Sequence, residues 1–309
     1  MFQPQHPSPP VLTRIEKQVP EFLTYCQIER QFSPETIRKY QDCLRQVGRH
    51  IGQVHLGEVR KEHVRGLKAC LVSRGNSIMR QISILLAFKS YLRYCNLECE
   101  IEVDPAIVTT PRRPRPDVLY LTPAEVEQFV SAIKVKTGGG AYQLEALRFR
   151  ALVECLLGSA MRISEALSLD RSDIDFDRAE ARIIGKGSKP RTVFFTDRAL
   201  DWMRRYLGAR QDNCQAMFVT RDGNRLKRPD IWRFFERYRK LSGIRKHLTA
   251  HTLRHTTATQ LLMNGCPIGH IKEILGHERL ETTCRFYLGL DQNAAKSAHR
   301  KFMTYTEAQ

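Results

Sequence analysis

Apolar residues recur at helical spacing through most of the chain. Between Thr36 and His50, the side chains of Ile37, Tyr40, Leu44 and Val47 fall on one face of a helix. Ser33-Pro34-Glu35 supplies an N-cap followed by proline at the first helical position. Leu67 and Leu71 mark a shorter helix that ends near Gly75. Ser77 opens another, with Ile78, Ile82, Leu85 and Leu92 at the same spacing and Arg80, Lys89 and Arg93 on its polar face. These stripes predict the core of a compact helical domain of roughly 90 residues with basic faces.

The pattern breaks at Asp104 to Val118, DPAIVTTPRRPRPDV, which holds four prolines and three arginines. Proline removes a backbone donor and disfavours helix in the residue before it, so the segment reads as an extended linker. Helical signals resume at Thr122-Pro123-Ala124-Glu125, a capping box around an N-terminal proline. Leu147, Ala151, Leu152 and Leu156 line a buried helix that ends near Gly158. Two short β-rich pieces follow, Ala181–Ile184 and Arg191–Phe195, joined by the turn-forming Gly185-Lys-Gly-Ser-Lys-Pro190. From Arg198 the pattern is helical again, through Trp232, Phe235 and Tyr238 and on toward the C-terminus.

Composition narrows the function. The 309 residues include 50 Lys+Arg against 33 Asp+Glu, a net charge of +17. Such an excess, spread along the whole chain, suits a polyanionic partner, nucleic acid before an anionic membrane surface. No apolar run is long enough for a membrane span, and the N-terminus lacks the apolar core of a signal peptide. Nine scattered cysteines fit a reducing cytoplasm better than a disulfide framework.

Cofactor signatures are missing: there is no GxxxxGK[ST] phosphate loop and no GxGxxG after a strand. His251 and His255 stand four apart, as in a zinc helix, but the catalytic glutamate of such a helix is missing and Arg254 would repel a metal. Metal-free chemistry is expected, with no cofactor. What remains is a set of cations. His251 and Arg254, three apart, share a helix face and can converge on one anion. His277 follows the glycine that ends Leu275-Gly276, Tyr287 comes ten residues later, and Arg162 opens a helix in GSAMRISEAL.

The motifs GSAMRISEAL, IIGKGSKPRTVFF, HTLRHTTATQLL and ILGHERLETTCRFY, in this order, resemble the tyrosine recombinase (phage integrase) family. The likeness covers the whole chain and is strongest beyond residue 145. It implies a mainly α fold with a small β-sheet in two domains: an N-terminal helical core-binding (SAM-like) domain over 1–103, the basic linker over 104–118, and a mixed α+β catalytic domain over 119–309. It implies an enzyme that cleaves and rejoins double-stranded DNA site-specifically through a covalent 3′-phosphotyrosine, as a tetramer on two DNA sites. By resemblance Arg162 and Arg254 grip the scissile phosphate, His277 adds a hydrogen bond, His251 takes a proton, Lys186 protonates the leaving 5′-oxygen and Tyr287 attacks.

Two of these assignments carry alternatives. Lys189 shares the turn with Lys186, but the first lysine of GKGxKxR is the family's acid. The family's tyrosine usually lies nine residues after the LGH histidine, which here is Phe286; Tyr287 comes one residue later. A phenyl ring has no nucleophilic oxygen, so either the loop takes up one residue or the chain binds DNA without cleaving it. The intact remaining motifs favour Tyr287, with Tyr305 as a remote substitute. A type IB topoisomerase, which shares much of this residue set, is the alternative enzyme.

Overall fold

The structure, a computed structural model, describes residues 14–15, 17–113, 118–135, 141–185 and 190–277. The chain divides into two compact units, Met1–Arg115 and Pro116–Gln309. Among the described residues no helix is long and apolar enough to cross a membrane.

The described part of the first unit is helical: α1 (Val19–Ile28), α2 (Pro34–Ile51), α3 (Lys61–Ser73) and α4 (Ile78–Glu98). The start signals act as the sequence suggests. Ser33 Oγ accepts the Thr36 N–H (3.3 Å) and Ser77 Oγ accepts the Arg80 N–H (3.3 Å). Leu44 and Val47 are buried from α2, Leu67 and Leu71 from α3, and Ile82, Leu85 and Leu92 from α4. Helix α4 packs on each of the other three, so its burial wraps most of the way round, through Ile84, Ala87, Phe88 and Tyr91. Ile78, at the first position of α4, is instead 47 % exposed. Side chains lean toward a helix's N-terminus, so a first-turn residue projects past the packed layer. Helix α1, for which the pattern gave no signal, buries Phe22 and Cys26. Beyond α4, Val103 and Val108 also enter this core, on either side of a 3₁₀ turn at Pro105–Ile107 that Asp104 caps.

The second unit contains α5 (Pro123–Ala132), α6 (Ala141–Ser159), α7 (Ile163–Ser168), β1 (Ile174–Asp175), β2 (Glu180–Ile184), β3 (Pro190–Phe194), α8 (Asp197–Gly208), α9 (Arg228–Leu241), α10 (Ala250–Met263) and α11 (Ile268–Leu275). Thr122 and Glu125 form the capping box of α5, with N–H to oxygen distances of 2.8 and 3.2 Å. Helix α6 is the hub, packed against α8, α10 and α7. It ends at Ser159, as expected near Gly158, and an added Cβ on Gly158 would lie 2.7 Å from Thr196 Oγ1 and 2.8 Å from the Ala199 Cβ. The sheet has the antiparallel order β1-β2-β3, with Ala181 opposite Val193 and Ile183 opposite Arg191. Alternation along β2 turns Ala181 and Ile183 inward and Arg182 and Ile184 outward. On α9 the buried positions are Ile231, Phe235 and Tyr238, at i, i+4 and i+7; Trp232 lies one position off that stripe and is 62 % exposed.

Candidate active site

The site begins where α6 hands over to α7. Ala160 takes a left-handed conformation (φ 53°), a cost for a residue with a Cβ that surrounding contacts must offset. Its carbonyl accepts a hydrogen bond from Arg254 Nη1 at 2.8 Å. Arg162 then caps α7, and Glu165, three residues on, turns back to it. Glu165 Oε1 accepts Arg162 Nη1 (2.8 Å), and Oε2 accepts both the Arg162 backbone N–H (2.7 Å) and Arg191 Nη2 from β3 (2.9 Å). Burial alone would raise the Glu165 carboxyl, but the Arg162 N–H and the two guanidiniums outweigh it and hold it below its ordinary value.

These arginines meet again at the C-terminus of α11. Gly276 ends the helix in the left-handed region (φ 60°). Its N–H donates to the Glu273 carbonyl and that of His277 to the Lys272 carbonyl, the Schellman arrangement. The next three carbonyls, which no backbone N–H of the helix can reach, each receive a different arginine. Arg191 Nη1 donates to Ile274 O (2.9 Å), Arg254 Nη2 to Leu275 O, and Arg162 Nη2 to Gly276 O (3.1 Å). The negative end of the helix dipole thus gathers three cations, and His277 follows directly.

Arg162, His251 and Arg254 line one cavity of about 340 Å³, together with Met161, Ile163, Arg228, Ile231, Trp232 and Phe235. His251 stands in the first turn of α10, whose N-cap Thr249 accepts the Thr252 N–H (3.3 Å). Its ring opens to solvent and meets that of His255 edge-on, centroids 4.3 Å apart. Desolvation by the cavity walls, then Arg254, Arg162 and Arg228, push the His251 imidazole below its ordinary value. Burial and neighbouring charges take His255 and His277 further, both to about 4. At neutral pH the three rings are uncharged amid guanidiniums, able to accept one proton and donate another.

Of the residues singled out from the sequence, Arg162, His251 and Arg254 share this cavity, and His277 stands at the helix end that Arg162 and Arg254 hold. Lys186, Lys189, Phe286, Tyr287 and Tyr305 lie outside the described residues. Glu165, Arg191, His255, Arg228 and Trp232 escaped the sequence reading as parts of the site. A signal existed for Glu165, the glutamate three residues after a helix start. For Arg191 the signal was its place as the last residue of GKGxKxR, but its partner Glu165 is met only in the fold. Among the described residues no three His, Cys, Asp or Glu side chains are grouped to hold a metal ion.

Comparison with known proteins bears on the fold and the family. Residues 120–294 match the model of the phage integrase family, and residues 19–94 that of the phage integrase N-terminal SAM-like domain. Tyrosine recombinase XerC of Chlamydia pneumoniae is 30% identical over an alignment covering 91% of this chain and 96% of that protein. Among solved structures, the Tn1549 transposon integrase in complex with transposon right end DNA superposes with a TM-score of 0.74 at 18% identity, over 94% of this chain and 100% of that one. The XerH site-specific recombinase bound to palindromic difH substrate, a post-cleavage complex, gives 0.73 at 20% identity, over 91% and 84%. With a family model spanning more than half its length and a relative matched almost end to end, the chain belongs to the phage integrase family and is a tyrosine recombinase.

Proposed function

We propose that the cavity at α7, α9 and α10 cleaves and rejoins strands of double-stranded DNA at a defined site through a 3′-phosphotyrosine. The observation that carries this reading is the joint placement of Arg162, Arg254 and His251 around one cavity, with Arg228 as a further guanidinium in its wall. A phosphodiester anion resists nucleophiles, so its cleavage needs charge neutralisation, a nucleophile and a proton for the leaving oxygen. Arg162 and Arg254 present planar donors that stay charged at any working pH and suit the non-bridging phosphate oxygens. Neutral His277 donates a hydrogen bond to the same phosphate.

Tyr287 attacks phosphorus while His251, uncharged and open to solvent, takes the phenol proton. The bond to the 5′-oxygen breaks and Lys186 supplies that oxygen's proton. One ester replaces another, so the 5′-hydroxyl of a different strand can reverse the step without ATP. The same reading assigns residues 1–103 to a DNA-binding domain, 104–118 to its linker and 119–309 to the catalytic domain. It sets four protomers on two DNA sites in the cytoplasm, a location supported by the eight described cysteines, all free.

The test uses a pool of nicked duplexes with randomised cores, which trap the covalent intermediate because the cut fragment diffuses away. A denaturant-resistant protein–DNA adduct that Tyr287→Phe abolishes is the expected result, and sequencing the trapped DNA gives the site. An adduct that survives Tyr287→Phe and is lost in Tyr305→Phe moves the nucleophile. Tight DNA binding with no adduct overturns catalysis, and relaxation of plasmids lacking the recovered site overturns the site-specific part. Cross-linking on the recovered duplex counts the protomers.

A further inference from the structure

Arg191 has no place in the mechanism above, yet like Arg162 and Arg254 it ties the site's two halves together. Its guanidinium has two anchored ends: Nη2 on Glu165, which also holds Arg162, and Nη1 on the Ile274 carbonyl, three residues before His277. Both bonds are 2.9 Å long and the side chain is 15% exposed. Packing around it is close: a Cβ on Gly276 would lie 2.6 Å from Arg191 Nε and 2.9 Å from its Cδ and Cζ. The glycine before His277 is thus fitted to this one arginine as well as to its own left-handed backbone. Glu165 in turn needs both guanidiniums, because a buried carboxylate with one partner removed is left undercompensated.

We propose that Arg191 is a positioning residue of the phosphate site. By bridging Glu165 and the α11 C-terminus it fixes the spacing between the Arg162 guanidinium and the turn that carries His277. Without the bridge, Arg162 keeps its charge and still reaches Glu165, but the helix end it shares with Arg254 loses its third anchor. A displacement of about 1 Å between groups gripping one phosphate is enough to cost a hundredfold in rate. The proposal rests on the reading that Arg162 and His277 hold the scissile phosphate.

Single-turnover cleavage of the nicked duplex recovered as an adduct tests it, with rate and DNA affinity measured separately. Arg191→Lys keeps the charge but cannot reach both acceptors as a planar fork. It should cleave about a hundredfold more slowly at saturating DNA, with affinity changed less than about threefold. Glu165→Gln, close to isosteric, breaks the same bridge from the other side and should act alike. Combining them should be little worse than either alone, because coupled sites are non-additive. A purely structural role would lower the fraction of active protein while the remaining active sites cleaved at the wild-type rate. That pattern, or rate losses that multiply in the double variant, overturns the proposal. Arg162→Ala separates the two layers. If it cleaves normally the phosphate reading fails; if it is dead while Arg191→Lys and Glu165→Gln cleave normally, only the positioning role fails.

Discussion

Two guanidiniums side by side repel unless an anion lies between them, and Glu165 is that anion for Arg162 and Arg191. The same crowding acts on the histidines. His255 and His277 are pushed to about 4 and His251 is lowered, against an ordinary value of 6.5, first by burial and then by neighbouring charge, the arginines for His251 and His277 and the His251 ring for His255. Their folded-state values lie below the unfolded one, so between pH 6.5 and about 4 the unfolded chain binds protons that the folded chain refuses. Stability present above pH 6.5 is therefore lost as the pH falls through that window. Carboxylates held low, such as Glu165 and Asp212, add their own loss only below their ordinary 4.5 and 3.8. Thermal unfolding followed from pH 7.5 down to 4.5 should show a steadily falling midpoint below about 6.5. His255→Gln, which removes the ring that meets His251, should make that fall shallower. A midpoint that stays level over the range, or a slope identical in His255→Gln, contradicts the assignment.

Gly158 shows what an element hides from its own sequence. Read along the chain it marks a helix end, and α6 does end one residue later; what the chain does not announce is that its missing side chain lets α8 approach. Gly158→Ala should improve helix propensity by up to about 1 kcal/mol yet lose about 1–3 kcal/mol to overpacking against Thr196 and Ala199. The expected net result is destabilisation, read as a lower urea midpoint at unchanged m-value; a stabilised variant would show that Thr196 and Ala199 give way to the added methyl. The elements that were legible are those fixed by neighbours in sequence. Ser33 and Ser77 cap within three residues, the Thr122–Glu125 box closes on itself, and α2 announces its buried face by spacing. Helix α1 and the two-residue β1 are too short or too weakly patterned to stand out. The site divides the same way. The pairing of His251 with Arg254 is local to α10, whereas Arg254 meets Ala160 94 positions away and Arg191 meets Glu165 26 positions away. Only the fold supplies those contacts, and the roles of Lys186 and Tyr287 came from motif order.

Across the whole molecule the charge of +17 separates into cations with different work. Some arginines are structural. Arg210, whose side chain has no exposed surface, holds Asp212 and the carbonyls of Ala216 and Met217, and buried Arg148 donates to the Val219 carbonyl at 2.8 Å. Arg162, Arg191 and Arg254 serve the site. Others, Arg112 and Arg113 among them, stand exposed on the segment between the two units' cores. Only cations that neutralise phosphates release counterions, each contributing about 0.9 to the slope of log K against log salt. Binding to a random-sequence duplex, followed by fluorescence anisotropy from roughly 50 to 200 mM salt, should therefore weaken steeply. Arg112→Gln with Arg113→Gln should flatten the slope by about two and leave thermal stability alone. Arg148→Gln should do the reverse, lowering stability while the folded protein keeps the wild-type slope. Were the linker pair to change neither slope nor affinity, those arginines would be ordinary solubilising charges, and the duplex would have to be held from elsewhere on the two units.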